Sequence, residues 1–401
     1  MTTIETQWKL AGKRWTENEA ERDARMKELD KLSGDSKDGE RAIVDWEKID
    51  SKARIQNRMN GLGMHDKAEQ FANDEIIAPD VFERILNENE LTEIVFFERG
   101  MVAARSVGRV VILASPSRRL GHGSGVMVSP RLFLTNNHVL TSEAHAEHSL
   151  IEFGYLTSIG GLREAYPFRL APDEFFVTDE ELDFTLVAVQ PMNDASAALQ
   201  SRGHCPMIPA TGKAVAGQRV NIIQHPRGER MQVSMRGNRI VDIPGNFLHY
   251  ETDTEPGSSG SPVFNDQWEM AALHHAGVPA RDGNGKIKLK SGGTWRSRRD
   301  NDDIEWVANE GVRISRIVEH LKGLDLASPQ RRLFEQTQRP PEPMDLWDLI
   351  EGRSSPLSNG GMQMEAGGIA SNLGAGISGP HIGPDGSPSW LFRLNFGPVS
   401  K

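Results

Sequence analysis

The chain has 401 residues, 37% of them hydrophobic, with a net charge of −10 and one cysteine, Cys205. The length leaves room for a sizeable core, while the modest apolar share puts part of the chain outside it. The acidic balance argues against bulk attraction to nucleic acid, and one cysteine excludes an intramolecular disulfide. The first residues, "MTTIETQWKLAGKRW", lack the apolar stretch of a secretory leader, and no apolar run is long enough to span a bilayer. A cytoplasmic protein without membrane or nucleic-acid partners is therefore expected.

Residues 1–100 read as a helical N-terminal arm. "TENEAERDARMKELDKL" is rich in helix formers, and Thr16 with Glu19 three residues on fits a capping box. "SGDSKDG" breaks this helix. "ERAIVDWEKIDSKARIQNRM" reads as a second helix with few apolar positions, and "PDVFERILN" as a third, with Pro79 at its start. The arm is expected to be mostly solvated. Phe96 and Phe97, in "FFERGMVAARSVGRV", are too apolar for a free linker, so both are expected to be buried where the arm folds back near the first strand.

Residues 101–325 differ in texture. The runs "RVVILAS", "GSGVMVSP", "LFLTNN", "FTLVAV", "RVNIIQH", "SPVF" and "MAALHH" are short, often β-branched and separated by turn residues, which reads as an all-β sandwich or barrel. "NEGVRISRIVEHLKGL" closes the zone as a helix. Val312, Ile314, Ile317, Val318 and Leu321 share one face, and Gly323 is its stop. Residues 326–401 are Gly/Pro/Ser-rich and read as a flexible, disordered tail interrupted by "MDLWDLIEG" and "WLFRLNFGPV". The first island has the pattern of a short partner-docking helix.

The β zone holds three polar signals. His138 follows a strand in "LFLTNNHVL", Asp183 precedes one in "EELDFTLVAV", and serines sit in the glycine turn "GSSGSP". A serine hydroxyl becomes a nucleophile when an imidazole takes its proton, and that imidazole needs a carboxylate to hold its tautomer. The chain order His, Asp, Ser is one of the arrangements that bring such a triad together.

"TNNHV", "LDFTLV" and "GSSGSPVF" resemble the three motifs of chymotrypsin-fold serine proteases, in particular bacterial trypsin-like peptidases of the glutamyl-endopeptidase type. The resemblance covers roughly residues 100–324. It implies a mainly β fold, a double β-barrel with a C-terminal helix, preceded here by the helical arm and followed by the tail. It implies His138 as general base, Asp183 as its orienting acid and, from the pattern G-x-S-G-S-P, Ser259 as nucleophile. The N–H groups of Gly257 and Ser259 would form the oxyanion hole, with glycine suited to the unusual backbone needed at position 257. Thr254 and His274 fall at the positions that line the pocket for the side chain before the cut. As donors they would favour Glu, Gln or Asp there over Lys or Arg, with Glu255 and Asp253 as nearby charges of opposite tendency. Ser258 replaces the aspartate that matures secreted digestive relatives, so that switch is not expected.

The resulting expectation is an intracellular serine endopeptidase that needs no cofactor or metal, acts on selected protein substrates and activates a partner. The alternative is a regulated or inactive binding module on the protease fold, with arm or tail docking a partner or covering the cleft. Three weaker features stay structural. Lys286, Lys288 and Lys290 read as a solvated edge strand, the neighbouring His274–His275 pair as a core and a surface residue if no pocket forms, and His145 with His148 as loop residues.

Overall fold

The β-branched runs form strands in two groups, joined by turns rich in glycine and asparagine. In the computed structural model the described residues are 4–33, 44–73, 81, 85–86, 93–115, 117–193, 199–251 and 257–341, with the paired segments 381–382 and 388–389. The first group comprises β1 (Val107–Ser115), β2 (Arg118–Met127), β3 (Leu132–Thr135), β4 (Leu150–Phe153), the small hairpin β5 (Thr157–Ser158) and β6 (Gly161–Leu162), β7 (Tyr166–Arg169), β8 (Phe176–Asp179) and β9 (Phe184–Ala188). All but the hairpin form one antiparallel sheet in the order β7-β4-β1-β2-β3-β9-β8. An antiparallel bridge between Leu170 and Val189 brings the end of β7 to the end of β9, so the sheet curls toward a barrel.

The second group comprises β10 (Arg219–Gln224), β11 (Gln232–Asp242), β12 (Phe247–Tyr250), β13 (Pro262–Phe264), β14 (Met270–Pro279) and β15 (Trp306–Arg313). It closes completely, in the order β10-β11-β12-β15-β14-β13. Closure removes the open edges of the sheet. The mainly β, chymotrypsin-like arrangement expected from the sequence is thus present. A core containing Val126, Leu134, Phe184 and Leu186 of the first half and Ile223, Phe264, Leu273 and Val312 of the second joins the two.

The closing helix spans Ile314–Gly323 and buries Ile314, Ile317, Val318 and Leu321 on that shared core. Val312, assigned to the same helical face from its spacing, is the penultimate residue of β15 instead. The ordered chain also runs past 325. Ser328–Gln336 is a further helix, and its Phe334 is buried in the same core, so the tail boundary drawn at 326 is too early. Beyond residue 341 the described part is a short pairing of His381–Ile382 with Pro388–Ser389; "MDLWDLIEG" and "WLFRLNFGPV" lie outside the described residues.

The first two N-terminal helices each bury one side and leave the other exposed, so they are docked rather than free in solvent. Helix α1 (Ile4–Glu17) buries Ala11 against Ala276, Val278 and Ala308 of β14 and β15. Helix α2 (Glu19–Ser33) contributes Leu29 to a cluster with Ile49, Ile55, Met59, Ile85, Val215 and Ala216. Thr16 is no capping residue: it lies inside α1 and its hydroxyl donates to Gly12 O at 3.1 Å. After the helices Trp46–Ile49, Lys52–Gly61 and His65–Ala72, the last helix of the arm, α3 (Val95–Ser106), leads into β1. Phe96 is buried there beside Trp268, while Phe97, one residue on, points away and is 57% exposed. Adjacent helical positions diverge by about 100°, so one helix face cannot hold both phenylalanines.

Candidate active site

His138 stands in the turn after β3, and Asp183 is the last residue before β9. β3 and β9 pair in register from Leu132–Ala188 to Thr135–Thr185, which sets the two turns side by side. The His138 backbone N–H donates to Asp183 Oδ1 at 3.0 Å, and His138 Nδ1 meets Asp183 Oδ2 at 2.8 Å. A carboxylate beside Nδ1 fixes the proton there and leaves Nε2 as the proton acceptor. Asp183 adopts φ 47°, a left-handed backbone that aspartate tolerates better than most residues. Asn136 Nδ2 donates to the Asp183 carbonyl at 2.8 Å and so supports that conformation.

Asp183 is fully buried. Burial pushes its pKa up, but the neighbouring imidazoles of His138 and His275 outweigh this and lower it to about 2. The carboxylate is therefore ionised throughout the neutral range.

The serine turn lies between the two halves. Ser258 and Ser261 are buried at 0% exposure, whereas Ser259 keeps a part-exposed surface. Ser124 of β2 binds the turn at two points and His225 at a third. Its N–H donates to Ser259 O at 2.8 Å, its hydroxyl donates to Gly257 O at 2.9 Å, and the same hydroxyl accepts the His225 N–H at 3.0 Å. Thr135, at the end of the strand that leads to His138, donates its hydroxyl to Ser124 O at 2.7 Å. The serine turn and the histidine turn are thus braced on one shared residue. The glycines make this approach possible. Gly260 has φ +89°, and a Cβ there would lie 2.0 Å from Ser124 O. Gly257 has φ +97°, and a Cβ there would meet His225 O and the Arg227 and Gly228 nitrogens at 2.9 Å.

Among the described residues, the N–H groups of Gly257 and Ser259 have no acceptor in the turn's hydrogen bonding, which runs from Gly260 N to His274 O and from Ser261 N to Ser258 O. An oxyanion site requires two N–H donors aimed at the oxygen that becomes negative, and these two are the ones the turn leaves for that role among the described residues.

His274 lies on β14, directly beside the turn: its N–H donates to Ser261 O at 2.9 Å and its carbonyl accepts from Gly260. Its Nδ1 meets the Tyr250 hydroxyl at 2.8 Å. Burial and the nearby imidazoles of His275 and His138 lower its pKa to about 3, so it is neutral. Thr254, with Asp253 and Glu255, lies outside the described residues.

His275 is no surface residue. It is fully buried, with Nδ1 at 3.1 Å from Asp183 Oδ2 and Nε2 at 2.8 Å from Glu310 Oε1. Sequence reasoning missed Ser124, Asn136, His275 and Glu310. Asn136 stands inside "TNNHV" with nothing to set its role apart, and the other three have no motif signal of their own, because each acts through strand register.

The trypsin-like peptidase domain family matches residues 123–273. A protein of Sinorhizobium fredii (strain NBRC 101917 / NGR234), named uncharacterized protein y4fB, is 39% identical over 257 residues, which cover 60% of this chain and 39% of that one. The glutamyl endopeptidase of Staphylococcus aureus (strain MW2) is 23% identical over 190 residues, 47% of this chain and 56% of that one. This chain therefore spans less than two thirds of either relative. The Rv3671c protease of M. tuberculosis in its active form aligns over 58% of this chain and 86% of that one, at 16% identity and a TM-score of 0.38. Over residues 123–273 this chain is similar to the trypsin-like peptidase domain family, and its closed barrel and paired turns have the mainly β, chymotrypsin-like fold.

Proposed function

We propose that the chain is a serine endopeptidase that cuts selected protein substrates through an acyl-enzyme. The observation that carries this reading is the double tie between His138 and Asp183, with a part-exposed Ser259 in a turn bound to Ser124, the residue that Thr135 at the end of β3 also bonds.

In this reading Ser259 Oγ attacks the scissile carbonyl carbon as its proton passes to His138 Nε2. Asp183 holds Nδ1–H and balances the imidazolium. The negative oxygen of the tetrahedral intermediate takes the Gly257 and Ser259 N–H groups. His138 then gives its proton to the leaving amine, the C–N bond breaks, and the acyl group stays on Ser259. A water, deprotonated by His138, repeats the sequence and frees the acid. Every step uses protein groups and water.

His274 supports a substrate preference. If the Tyr250 hydroxyl donates to Nδ1, the proton sits on Nε2 and forms a donor for a carboxylate or amide before the cut. Glu, Gln or Asp would suit that donor, with Thr254 as its expected companion. The reading includes a cytoplasmic location and a partner activated by cleavage, supported by composition and by the family resemblance. No helix among the described residues is long and apolar enough to cross a membrane.

The test is labelling with a fluorophosphonate probe, followed by proteome digestion and cleavage-site profiling. Wild-type protein is expected to be labelled and Ser259→Ala not. An unlabelled wild type would favour the binding-module reading, and labelling that survives in Ser259→Ala would overturn the nucleophile.

A further inference from the structure

The carboxylate of Asp183 is not served by His138 alone. Its Oδ2 is also 3.1 Å from His275 Nδ1, and the far nitrogen of that ring is 2.8 Å from Glu310 Oε1. Both ring nitrogens of His275 thus face carboxylate oxygens, which can only accept. A neutral imidazole has one N–H and would leave one contact as oxygen against lone pair. The doubly protonated ring satisfies both. Burial opposes that charge, but the hydrogen bonds to Asp183 and Glu310 and their negative charges raise the His275 pKa above its ordinary value.

Glu310 lies on β15 with no exposed surface, and it is held from three directions. His275 approaches Oε1. His249 Nε2 approaches Oε2 at 2.7 Å. Arg14, from helix α1, grips both oxygens with its fork: Nε donates to Oε2 at 2.8 Å and a terminal nitrogen donates to Oε1. The guanidinium also lies 3.8 Å from the Phe247 ring centroid, and Phe247 stacks on His275 at 20° between ring planes. Arg14 therefore touches the far side of the same assembly that holds Asp183.

The charges make the set interdependent. Asp183 and Glu310 bring two negative charges into the interior, and His275 and Arg14 bring two positive ones. Without Arg14 the buried set carries a net negative charge, and an uncompensated buried charge is strongly unfavourable. The cluster can relieve it by moving Glu310 or by a change in its protonation, and either change disturbs the Nε2 contact that aligns His275 under Asp183.

We propose that Arg14, Glu310 and His275 are positioning residues for Asp183, so that helix α1, docked on β14, is an intramolecular activator of the peptidase site. The proposal rests on the serine-peptidase reading above. It gives the N-terminal helix a specific role. When α1 sits on the barrel the orienting acid is held, and when α1 lifts the site loses its alignment while Ser259 and His138 remain in place.

The test uses the full chain and fluorophosphonate inactivation, read as the maximal inactivation rate kinact and the half-saturating concentration KI. Arg14→Met is expected to lower kinact by roughly tenfold to a hundredfold with KI little changed, the scale on which small misplacements of a catalytic group act. Arg14→Lys keeps the charge without the fork and is expected to fall in between. Arg14→Met with Glu310→Gln removes both charges and is expected to recover part of the loss. Lys13→Met, one residue away on the exposed side of α1 and 65% exposed, is the control and is expected to match wild type. Rates are counted per labelled site, so a merely structural Arg14 would lower the labelled fraction or the melting temperature and leave kinact unchanged. That outcome overturns the proposal. If Arg14→Met does not fold, Arg14→Lys decides it, and a wild-type kinact in that variant overturns it as well. A wild type that reacts at no rate, or reacts equally as Ser259→Ala, would instead sink the underlying peptidase reading.

Discussion

Ser259 and Ser124 are joined across the seam between the two halves: Ser124 N–H donates to Ser259 O at 2.8 Å, and the Ser124 hydroxyl reaches on to Gly257 O. The bond fixes the nucleophile's backbone to β2 and, through Thr135, to the strand that carries His138. Ser124→Ala keeps the backbone bond and removes the hydroxyl, leaving the buried His225 N–H without its acceptor. A loss of about 1 to 3 kcal/mol in stability is expected, the cost of an unsatisfied buried donor. Chemical denaturation of the label-competent protein measures it, and an unchanged midpoint would contradict the brace.

Ser259 and Ser261, two residues apart in the turn, should behave differently. Ser259→Ala is expected to abolish probe labelling. Among the described residues the buried Ser261 Oγ has no hydrogen-bond partner, so Ser261→Ala is expected to leave stability unchanged or raise it by up to about 1 kcal/mol. Paired melting curves and labelling of the two variants check this. A destabilised Ser261→Ala would mean that the hydroxyl has a partner.

Asp183→Asn is expected to leave a folded protein whose inactivation by the probe is slower by roughly 10⁴-fold, the scale seen when the orienting acid of such a triad is neutralised. Two donors, His138 Nδ1 and His275 Nδ1, converge on Oδ2. Oδ1 accepts the His138 backbone N–H, and an amide has only one oxygen, so in the variant either that N–H or both imidazoles face an NH2 donor, and the histidine turn or the imidazole tautomers must change. A variant with near wild-type rates would remove Asp183 from the mechanism.

The fold and the motifs were legible because they are local. Strand runs, the glycines of the serine turn and the apolar face of the closing helix each announce themselves within a dozen residues. The supports of Asp183 were not legible, because Arg14, His275 and Glu310 are separated by more than 250 residues at the extremes and meet only through the barrel's register. His275↔Glu310 proximity follows from a bulge where β14 pairs with β15, between His274 and Ala276. Both adjacent histidines are buried because β14 is covered on both faces, with every residue from Met270 to Ala276 buried. The N-terminal helices misled for a related reason. Their few apolar positions suggest solvent, yet Ala11 and Leu29 each meet an apolar cluster supplied mostly by other segments of the chain.

Stability should change with pH on both sides of neutrality. His225 and His274 have folded-state pKa values lowered by burial, to about 4 and about 3, against an ordinary 6.5. As the pH falls below about 6.5 the unfolded chain takes up protons that these folded sites refuse, so stability is lost on the acid side. His275 works the other way. Its raised pKa contributes stability that is present below 6.5 and disappears as the pH rises through the folded value. Melting temperatures of Ser259→Ala between about pH 5 and 9 are expected to fall at both ends, with His274→Gln flattening the acid limb and His275→Gln the alkaline one. Limbs that both variants leave untouched would assign the pH dependence to other groups.

Substrate preference should itself be insensitive to pH. A charged imidazole in the pocket would favour Glu over Gln increasingly as the pH fell. His274 is held neutral, with a pKa lowered to about 3 by burial and by the neighbouring His275 and His138, so it offers at most one N–H in the working range. A single neutral donor serves a carboxylate and an amide oxygen alike. The ratio of cuts after Glu to cuts after Gln is therefore expected to stay constant within about twofold between pH 6 and 8, while both exceed cuts after Lys or Arg. His274→Ala is expected to compress all these preferences. Tyr250→Phe, which takes the hydroxyl from Nδ1 and frees the tautomer, is expected to reduce them less. Cleavage-site profiling of one proteome at two pH values measures every one of these ratios. A Glu preference that climbs steeply toward acid would mean that substrate binding charges His274, and a digest dominated by Lys and Arg would remove His274 from the pocket.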